Sequence, residues 1–381
     1  MTERFSVTYR IFAASAEEAE QRAQGIALEQ TVEIPRDVVP AGYVEDTILG
    51  QIEEILPEGE AAGSSLTWAA KISYSPDSAG PDLPQFLNVV FGNSSIQKGI
   101  KVIGVELCPV LAAHHAGARH GIGGIRALCA RDGGGLVAPV IKPMGLTTAE
   151  LARTVERVTE AGADIIKEDH GLANQPTAPI RERIPRLVEA VARGNARRQS
   201  AGDKSKGLFF PNLNGSIRNL VDDAWFAKES GADGVLIIPG LQGFDAISIL
   251  ARDPEFGLPV MAHPSFLGPF VLSIDTGFTH AVMFGTLMRI AGADISIFPN
   301  FGGRFGFTQK ECSEIAAACR SDAGPGHPIL PSPGGGMVVS RMPELMQIYG
   351  EDCVYLLGGG LLRYGDRIGD GVREMRATLQ P

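Results

Sequence analysis

From about residue 136 to the C-terminus the chain repeats one pattern: a short apolar run, a turn of Gly, Pro or polar residues, then a helical stretch. The apolar runs are Val137-Ala-Pro-Val-Ile141, Asp164 to Ile166, Gly207-Leu-Phe-Phe210, Gly234-Val-Leu-Ile-Ile238, Pro259-Val-Met-Ala262, Asp294-Ile-Ser-Ile297, Ile329 to Leu330 and Cys353 to Leu357. Helical segments between them include Thr147 to Glu160, Ile217 to Ser230 and Gln309 to Arg320. Strands that are apolar throughout must be covered on both faces, and alternation with helices implies parallel pairing. Eight such units close into an α/β fold of the (β/α)8 barrel type. An open doubly wound sheet would want a Gly-rich fingerprint after its first strand. Ile141-Lys142-Pro143-Met144-Gly145 lacks it.

The N-terminal third has no such alternation. Phe5 to Ile11 alternates like a half-buried strand, and Ser15 with Glu18 three residues on predicts a capping box opening a helix through about Glu29. Strand-like runs surround Val32, Leu66 to Tyr74 and Ile100 to Val105, while Asp77 to Pro84 reads as a loop. The expected division is a smaller α+β sandwich domain over residues 1–118 and the barrel over residues 119–381.

Composition narrows the partners. A net charge of -10 and no dense Lys/Arg run argue against nucleic acid; the basic residues from Arg193 to Arg198 form only a short helix end. No stretch reaches the ~20 apolar residues of a membrane span. The Met1-Thr-Glu-Arg start has no apolar signal core, and the five cysteines form no Cys-x-x-Cys pair, so reduced thiols in a cytoplasmic protein are expected.

In a barrel the chemistry sits where strands end. Those ends carry Lys142, then Lys167-Glu-Asp-His170, Asn212, Pro239-Gly240, His263, Asn300 to Arg304, Ser332 to Gly336 and Gly358-Gly-Gly360. Lys167, Asp169 and His170 together can ligate a divalent metal, provided the lysine first becomes a carbamate, because an ammonium is itself a cation. Glu168 lies between two residues that share a face, so it points away and reads as structural. Glycine triplets after the seventh and eighth strands leave backbone N–H groups free to face a phosphate. Each lone residue also has a plainer reading. His263 could be a rim group, Lys142 a solvated lysine and Asn212 turn chemistry. His114 and His115 lie before the barrel in no ligand pattern.

These residues, in this order, carry a resemblance. Thr67-Trp68, Asn88 to Asn93, His120-Gly-Ile122, Ile141-Lys-Pro143, Gly162 to Pro176, Asn212, His263, the loop to Arg304, Pro333 to Gly336, Arg341-Met-Pro343 and Gly358 to Gly360 span nearly the whole chain. They resemble the RuBisCO large-chain family, and more closely its RuBisCO-like (form IV) members. The resemblance implies Mg²⁺ held by carbamylated Lys167, Asp169 and His170. His170 falls where the carboxylating enzymes have Glu, and its imidazole is a softer ligand than a carboxylate that also admits Mn²⁺ or Zn²⁺. It further implies a phosphate site at Gly335, Gly336, Gly358 and Gly359 flanked by Thr67 and Trp68, and substrate contacts from Asn93 and Asn212. In that family the N-terminal domain completes the neighbour's site, which implies at least a homodimer.

Departures redirect the chemistry. Two cationic positions of the family's second phosphate site read Pro264 and about Ile297 here, so one phosphate is expected. Arg304 stands for the loop lysine that helps fix CO2, and a further lysine is replaced near Met144, so CO2 fixation is not expected. What remains is proton removal beside a carbonyl through a metal-stabilised enolate, with Lys142, Lys167 and His263 moving protons and Arg304 clamping a carboxylate. The leading expectation is decarboxylation, or transcarboxylation with hydrolysis, of 3-oxo-isoapionate 4-phosphate. The alternative is an enolase or isomerase on a methylthioribulose-type phosphate, with Phe298, Phe301 and Met144 around the thioether. A non-catalytic sugar-phosphate-binding barrel is the reading of another class.

Overall fold

The computed structural model describes residues 3–60, 66–115 and 117–380. Four strands precede the barrel: β1 (Phe5–Phe12), β2 (Gln51–Glu60), β3 (Leu66–Tyr74) and β4 (Ile100–Glu106). β1 lies between β3 and β4, antiparallel to both, with Phe5 opposite Tyr74 and Ile11 opposite Ile100. Phe5, Val7, Tyr9 and Ile11 alternate into the core, where the helices Ala16–Glu29 and Leu83–Phe91 cover them. Ser15 caps the first helix by accepting from Glu18 N–H, but the Glu18 carboxylate reaches the N–H of Ala14 (2.7 Å) instead of Ser15.

Three expectations in this region are corrected. The run around Val32 is a turn, because the N–H groups of Thr31, Val32 and Glu33 all return to the Leu28 carbonyl. Asp77 to Pro84 is mostly helical: Pro76–Ala79 and the start of Leu83–Phe91 each carry a proline, Pro76 and Pro84, in the first turn, where its missing N–H costs nothing. β2 was not anticipated. It is a polar edge strand whose register shifts twice, at Ile52/Glu54 and Pro57/Gly59, and this erases the two-residue period.

All eight expected barrel strands form: β5 (Leu136–Ile141), β6 (Ile165–Glu168), β7 (Leu208–Phe210), β8 (Val235–Ile237), β9 (Val260–Ala262), then, after the short β10 (Gly277–Phe278), β11 (Ile295–Pro299), β12 (Leu330–Gly334) and β13 (Val354–Leu357). They pair in parallel as β13-β5-β6-β7 and β8-β9-β11-β12. Leu236 N–H bonds to Pro211 O (2.8 Å) and Leu213 N–H to Leu236 O (3.0 Å), which joins β7 to β8. Ser332 Oγ donates to Val354 O (3.0 Å) across the remaining gap between β12 and β13. The result is a (β/α)8 barrel with an N-terminal α+β part. β10 leaves the barrel wall and adds in parallel to β4, so the barrel segment supplies the fifth strand of the N-terminal sheet.

The all-apolar strands are explained by two cores. Leu136, Ala138, Val140, Ile165, Phe210 and Met261 fill the barrel interior, while Val137, Ile141, Ile166, Phe209 and Ala262 face the surrounding helices. At the opposite rim from the site one motif recurs three times: Gly162-Ala-Asp164, Gly231-Ala-Asp233 and Gly292-Ala-Asp294. Each glycine has a left-handed φ (107°, 95° and 104°) at a helix end. Each aspartate then grips one residue of the preceding strand twice. The N–H groups of Asp164, Asp233 and Asp294 donate to the carbonyls of Val137, Phe209 and Val260, whose own N–H groups bond back to the carboxylates at 2.9, 3.0 and 2.9 Å. Asp294 also accepts from His120 and Gly121 N–H. Asp294→Ala strands three buried donors and is expected to lower stability by about 3–5 kcal/mol, read as a fall in the urea midpoint.

Candidate active site

The end of β6 sorts its side chains by alternation. Ile165 points into the barrel and Ile166 outward; Lys167 points in, Glu168 out, and Asp169 in again. Glu168 is fully buried against Arg183, with Oε1–Nε 2.8 Å and Oε2–Nη2 3.2 Å. Its Oε2 also accepts the N–H of Asn212 (2.9 Å), which draws the end of β7 against β6. Arg183 Nη1 bonds to the carbonyls of Ala173 and Ala178, so the same guanidinium holds the loop beyond His170.

On the inward face the ionisable groups converge. Asp169 Oδ1 lies 3.0 Å from Lys142 Nζ and 3.2 Å from His170 Nδ1. The His170 ring stacks on His263 with centroids 4.4 Å apart and planes 14° apart. Lys167 Nζ donates to the Glu168 carbonyl at 2.7 Å. Burial lowers the Lys167 pKa, Asp169 opposes it and Lys142 adds to it, and the group settles at about 7. Burial pushes Asp169 up, but the hydrogen bond from His170 and the charge and hydrogen bond of Lys142 outweigh it and hold the carboxyl well below the usual range. His263 is driven well below the usual histidine value by burial, then by the neighbouring Lys167 and His170 charges. Ser265 N–H donates to His263 Nδ1 (3.2 Å), so the neutral ring carries its proton on Nε2.

Both glycine turns face the same space. A cavity of about 820 Å³ is lined by Lys142, Lys167, Asp169, His170, His263 and Arg304, by Gly334 to Gly336, and by Gly358 to Gly360. A methyl group on Gly358 would lie 3.5 Å from Lys142 Nζ, so that ammonium sits between Asp169 and the second triplet. Gly335 and Gly336 have φ of 85° and 80°, which only glycine adopts freely. The loop after β11 rests on this turn: a Cβ on Gly303 would come 2.4 Å from Gly335 O, and Asn300 N–H bonds to Gly334 O at 2.8 Å. At its tip the Arg304 guanidinium lies 4.9 Å from the Phe305 ring centre.

Four expected site residues lie outside this cavity. Asn212 is fully buried behind the wall; its amide donates to His170 O (2.9 Å) and Leu172 O (2.8 Å), and its Oδ1 has no partner among the described residues. Thr67 bonds to Gly59 O and Trp68 to Ala13 O, both within the N-terminal part. The Asn93 amide bonds to Glu29 and Glu33. Of the apolar trio, Phe298 lines the cavity. Met144 is exposed and Phe301 packs beneath Arg341, so neither is a wall residue. Pro264 and Ile297 do line it, together with Phe266, Leu272, Phe284, Phe305 and Phe307. Arg363, three residues past the last triplet, is a lining cation that sequence reasoning missed. A single arginine on a short helix leaves no periodic signal.

The donor set can be tested for a divalent cation. Among the described residues no three His, Cys, Asp or Glu side chains cluster, so the third donor has to be Lys167. In an octahedral shell with bonds of about 2.1 Å, adjacent ligand atoms lie roughly 3 Å apart. The 3.2 Å between Asp169 Oδ1 and His170 Nδ1 suits such an edge. A lysine titrating at about 7 supplies the neutral amine that carbamate formation needs. The residues fit the ion once Lys167 is carbamylated.

A profile of the ribulose bisphosphate carboxylase large chain, catalytic domain, matches residues 121–303. The chain is 36% identical over 379 residues to ribulose bisphosphate carboxylase-like protein 1 of Rhodopseudomonas palustris, covering 100% of this chain and 98% of that protein. The chain belongs to the RuBisCO large-chain family, as a RuBisCO-like protein. This RuBisCO-like chain is also 36% identical over 381 residues to a protein of Rhodospirillum rubrum named 5-methylthioribulose-1-phosphate isomerase, covering 100% and 97% of the two chains. The crystal structure of a Rubisco-like protein from Rhodopseudomonas palustris superposes with a TM-score of 0.85 at 31% identity, covering 100% of this chain and 98% of that one.

Arg183→Met leaves the Glu168 carboxylate buried without its cation, and the RuBisCO-like chain is expected to lose about 3–5 kcal/mol in urea unfolding. Adding Glu168→Gln to that variant should restore part of the loss.

Proposed function

We propose that this chain is an enzyme that moves a proton beside the carbonyl of a singly phosphorylated sugar whose other end is apolar. An isomerase or enolase acting on a methylthioribulose-type phosphate is the reading the site supports best. One observation carries it: the Lys142–Asp169–His170–His263 cluster and both glycine turns share a cavity that also has a set of apolar lining residues. Pro264, Phe284, Ile297, Phe298 and Phe307 belong to that set. It would bury a thioether and leave a second phosphate without a partner. The name of the Rhodospirillum rubrum relative supports the same substrate class. The order of preference held on sequence alone is thereby reversed.

A divalent cation, Mg²⁺ first, held by the Lys167 carbamate, Asp169 and His170 would supply Lewis-acid polarisation of the substrate carbonyl. The chain's own groups do the rest. Asp169 holds the Lys142 amine against the Gly358 turn, so Nζ is placed to carry a proton between adjacent substrate carbons. His263, fixed by Ser265 with its proton on Nε2, donates that N–H to a substrate oxygen. The loop bearing Arg304, packed on Gly335, keeps water from the reacting carbons. Asn212 acts from behind the wall, holding the backbone after β6 through hydrogen bonds to the His170 and Leu172 carbonyls.

The second reading, decarboxylation or transcarboxylation with hydrolysis of 3-oxo-isoapionate 4-phosphate, rests on Arg304, whose guanidinium reaches the cavity and could clamp a carboxylate. Thr67, Trp68 and Asn93 do not line their own chain's cavity. They would meet substrate only from a neighbouring chain, and a homodimer of chains each divided near residue 118 into an N-terminal domain and a barrel is part of this proposal.

The purified protein, supplied with Mg²⁺, should exchange a substrate α-proton with deuterium and turn over methylthioribulose 1-phosphate. Decarboxylation of 3-oxo-isoapionate 4-phosphate in its place would establish the second reading. No exchange with either would leave a binding barrel. Lys142→Ala should lower kcat by about 10²–10⁴-fold, the usual worth of a positioned proton carrier. Lys167→Ala should abolish exchange and also remove the carbamate signal that ¹³CO2 produces in carbon NMR. Survival of that signal would place the carbamate elsewhere.

A further inference from the structure

Arg363 is the C-cap of the four-residue helix Gly359–Leu362 that follows the second glycine turn, and its side chain lines the cavity. It is exposed, and among the described residues it makes no hydrogen bond or ion pair. The acids nearest to it in sequence are committed elsewhere. Asp366 pairs with Arg157 at 3.0 Å, Asp370 with Arg373 at 2.7 Å, and Glu374 accepts from Tyr364 at 2.7 Å. The lone acid lining the cavity, Asp169, is already bridged by Lys142 and His170. An arginine lining the cavity that holds both glycine turns, with the acids nearest in sequence and the cavity's own Asp169 taken, has its anion supplied by the ligand.

We propose that Arg363 is the residue that selects a phosphate ester at this end of the cavity. The inference rests on the sugar-phosphate reading above and sharpens it, since it places a phosphate-binding cation on the same chain as the proton-moving cluster. The physical case is charge and shape. A guanidinium presents parallel N–H groups that match two phosphate oxygens, which a lysine cannot do from one nitrogen. The left-handed Gly335 and Gly336 turn and the Gly358 to Gly360 turn carry no side chains, so a tetrahedral anion can approach their backbone closely. Arg304, on the loop that packs against the Gly335 turn, has its guanidinium face against Phe305. Arg363 has no such commitment.

The test separates binding from turnover. Inorganic phosphate is titrated into the metal-loaded wild type, Arg363→Gln and Arg363→Lys by calorimetry. Loss of a charge-assisted bidentate contact should weaken phosphate binding roughly tenfold or more in Arg363→Gln. Arg363→Lys should recover only part. Because the side chain is exposed and unpartnered, the urea midpoint should not move, which rules out misfolding as the cause. With a phosphorylated substrate, KM should rise about as much as the phosphate Kd, with kcat little changed. Equal phosphate affinity in wild type and Arg363→Gln, or no phosphate binding by wild type, overturns the proposal. If phosphate binding falls as expected while no sugar phosphate is turned over, the assignment of Arg363 stands and the proposed reaction fails.

Discussion

The site depends on a carboxylate that never reaches it. Glu168 and Arg183 meet with no solvent access at the end of β6. The pair is costly to desolvate and is stable only because its hydrogen bonds are filled: Glu168 accepts from Arg183 and from Asn212 N–H, and Arg183 also donates to Ala173 and Ala178. That network ties two strand ends and the intervening loop into one rigid edge. With Glu168 committed outward, strand alternation leaves Lys167 and Asp169 facing inward. The inward face is set by the outward residue between the two inward ones.

The inward face is a set of charges that hold each other. Lys142 and His170 share one oxygen of Asp169, His170 stacks on His263, and Ser265 fixes the His263 tautomer. Each group therefore has a defined position before substrate arrives, which is what a site acting by placement requires. Pro264 and Ile297 bring apolar surface to the same cavity. The cavity thus combines cations and glycine turns with aromatic and aliphatic surface.

Much of this was legible in the sequence because the barrel writes itself redundantly. Eight short apolar runs with helices between them admit few other closures, and every one became a strand. The outward role of Glu168 followed from alternation alone. What was lost was local or solitary. β2 is a bulged edge strand with no period to detect. The segment from Asp77 to Pro84 looked like a loop because proline and glycine punctuate first turns as well as loops. Arg363 and the aromatic wall are brought to the cavity by tertiary packing that single residues do not announce. Asn212 was read as a substrate contact, and its burial behind His170, outside the cavity, could not be read from a strand-end position.

The Gly-Ala-Asp clamp has a mechanical consequence. It occurs at the second, fourth and sixth barrel strands, β6, β8 and β11, and each copy grips the strand just before it. The floor of the barrel is therefore riveted in twos, and the joints between those twos lack the rivet. A crack climbing the wall would find its easiest path along the unriveted joints. Because the rivets sit at the far rim, the catalytic mouth can be remodelled loop by loop without loosening the staves beneath it.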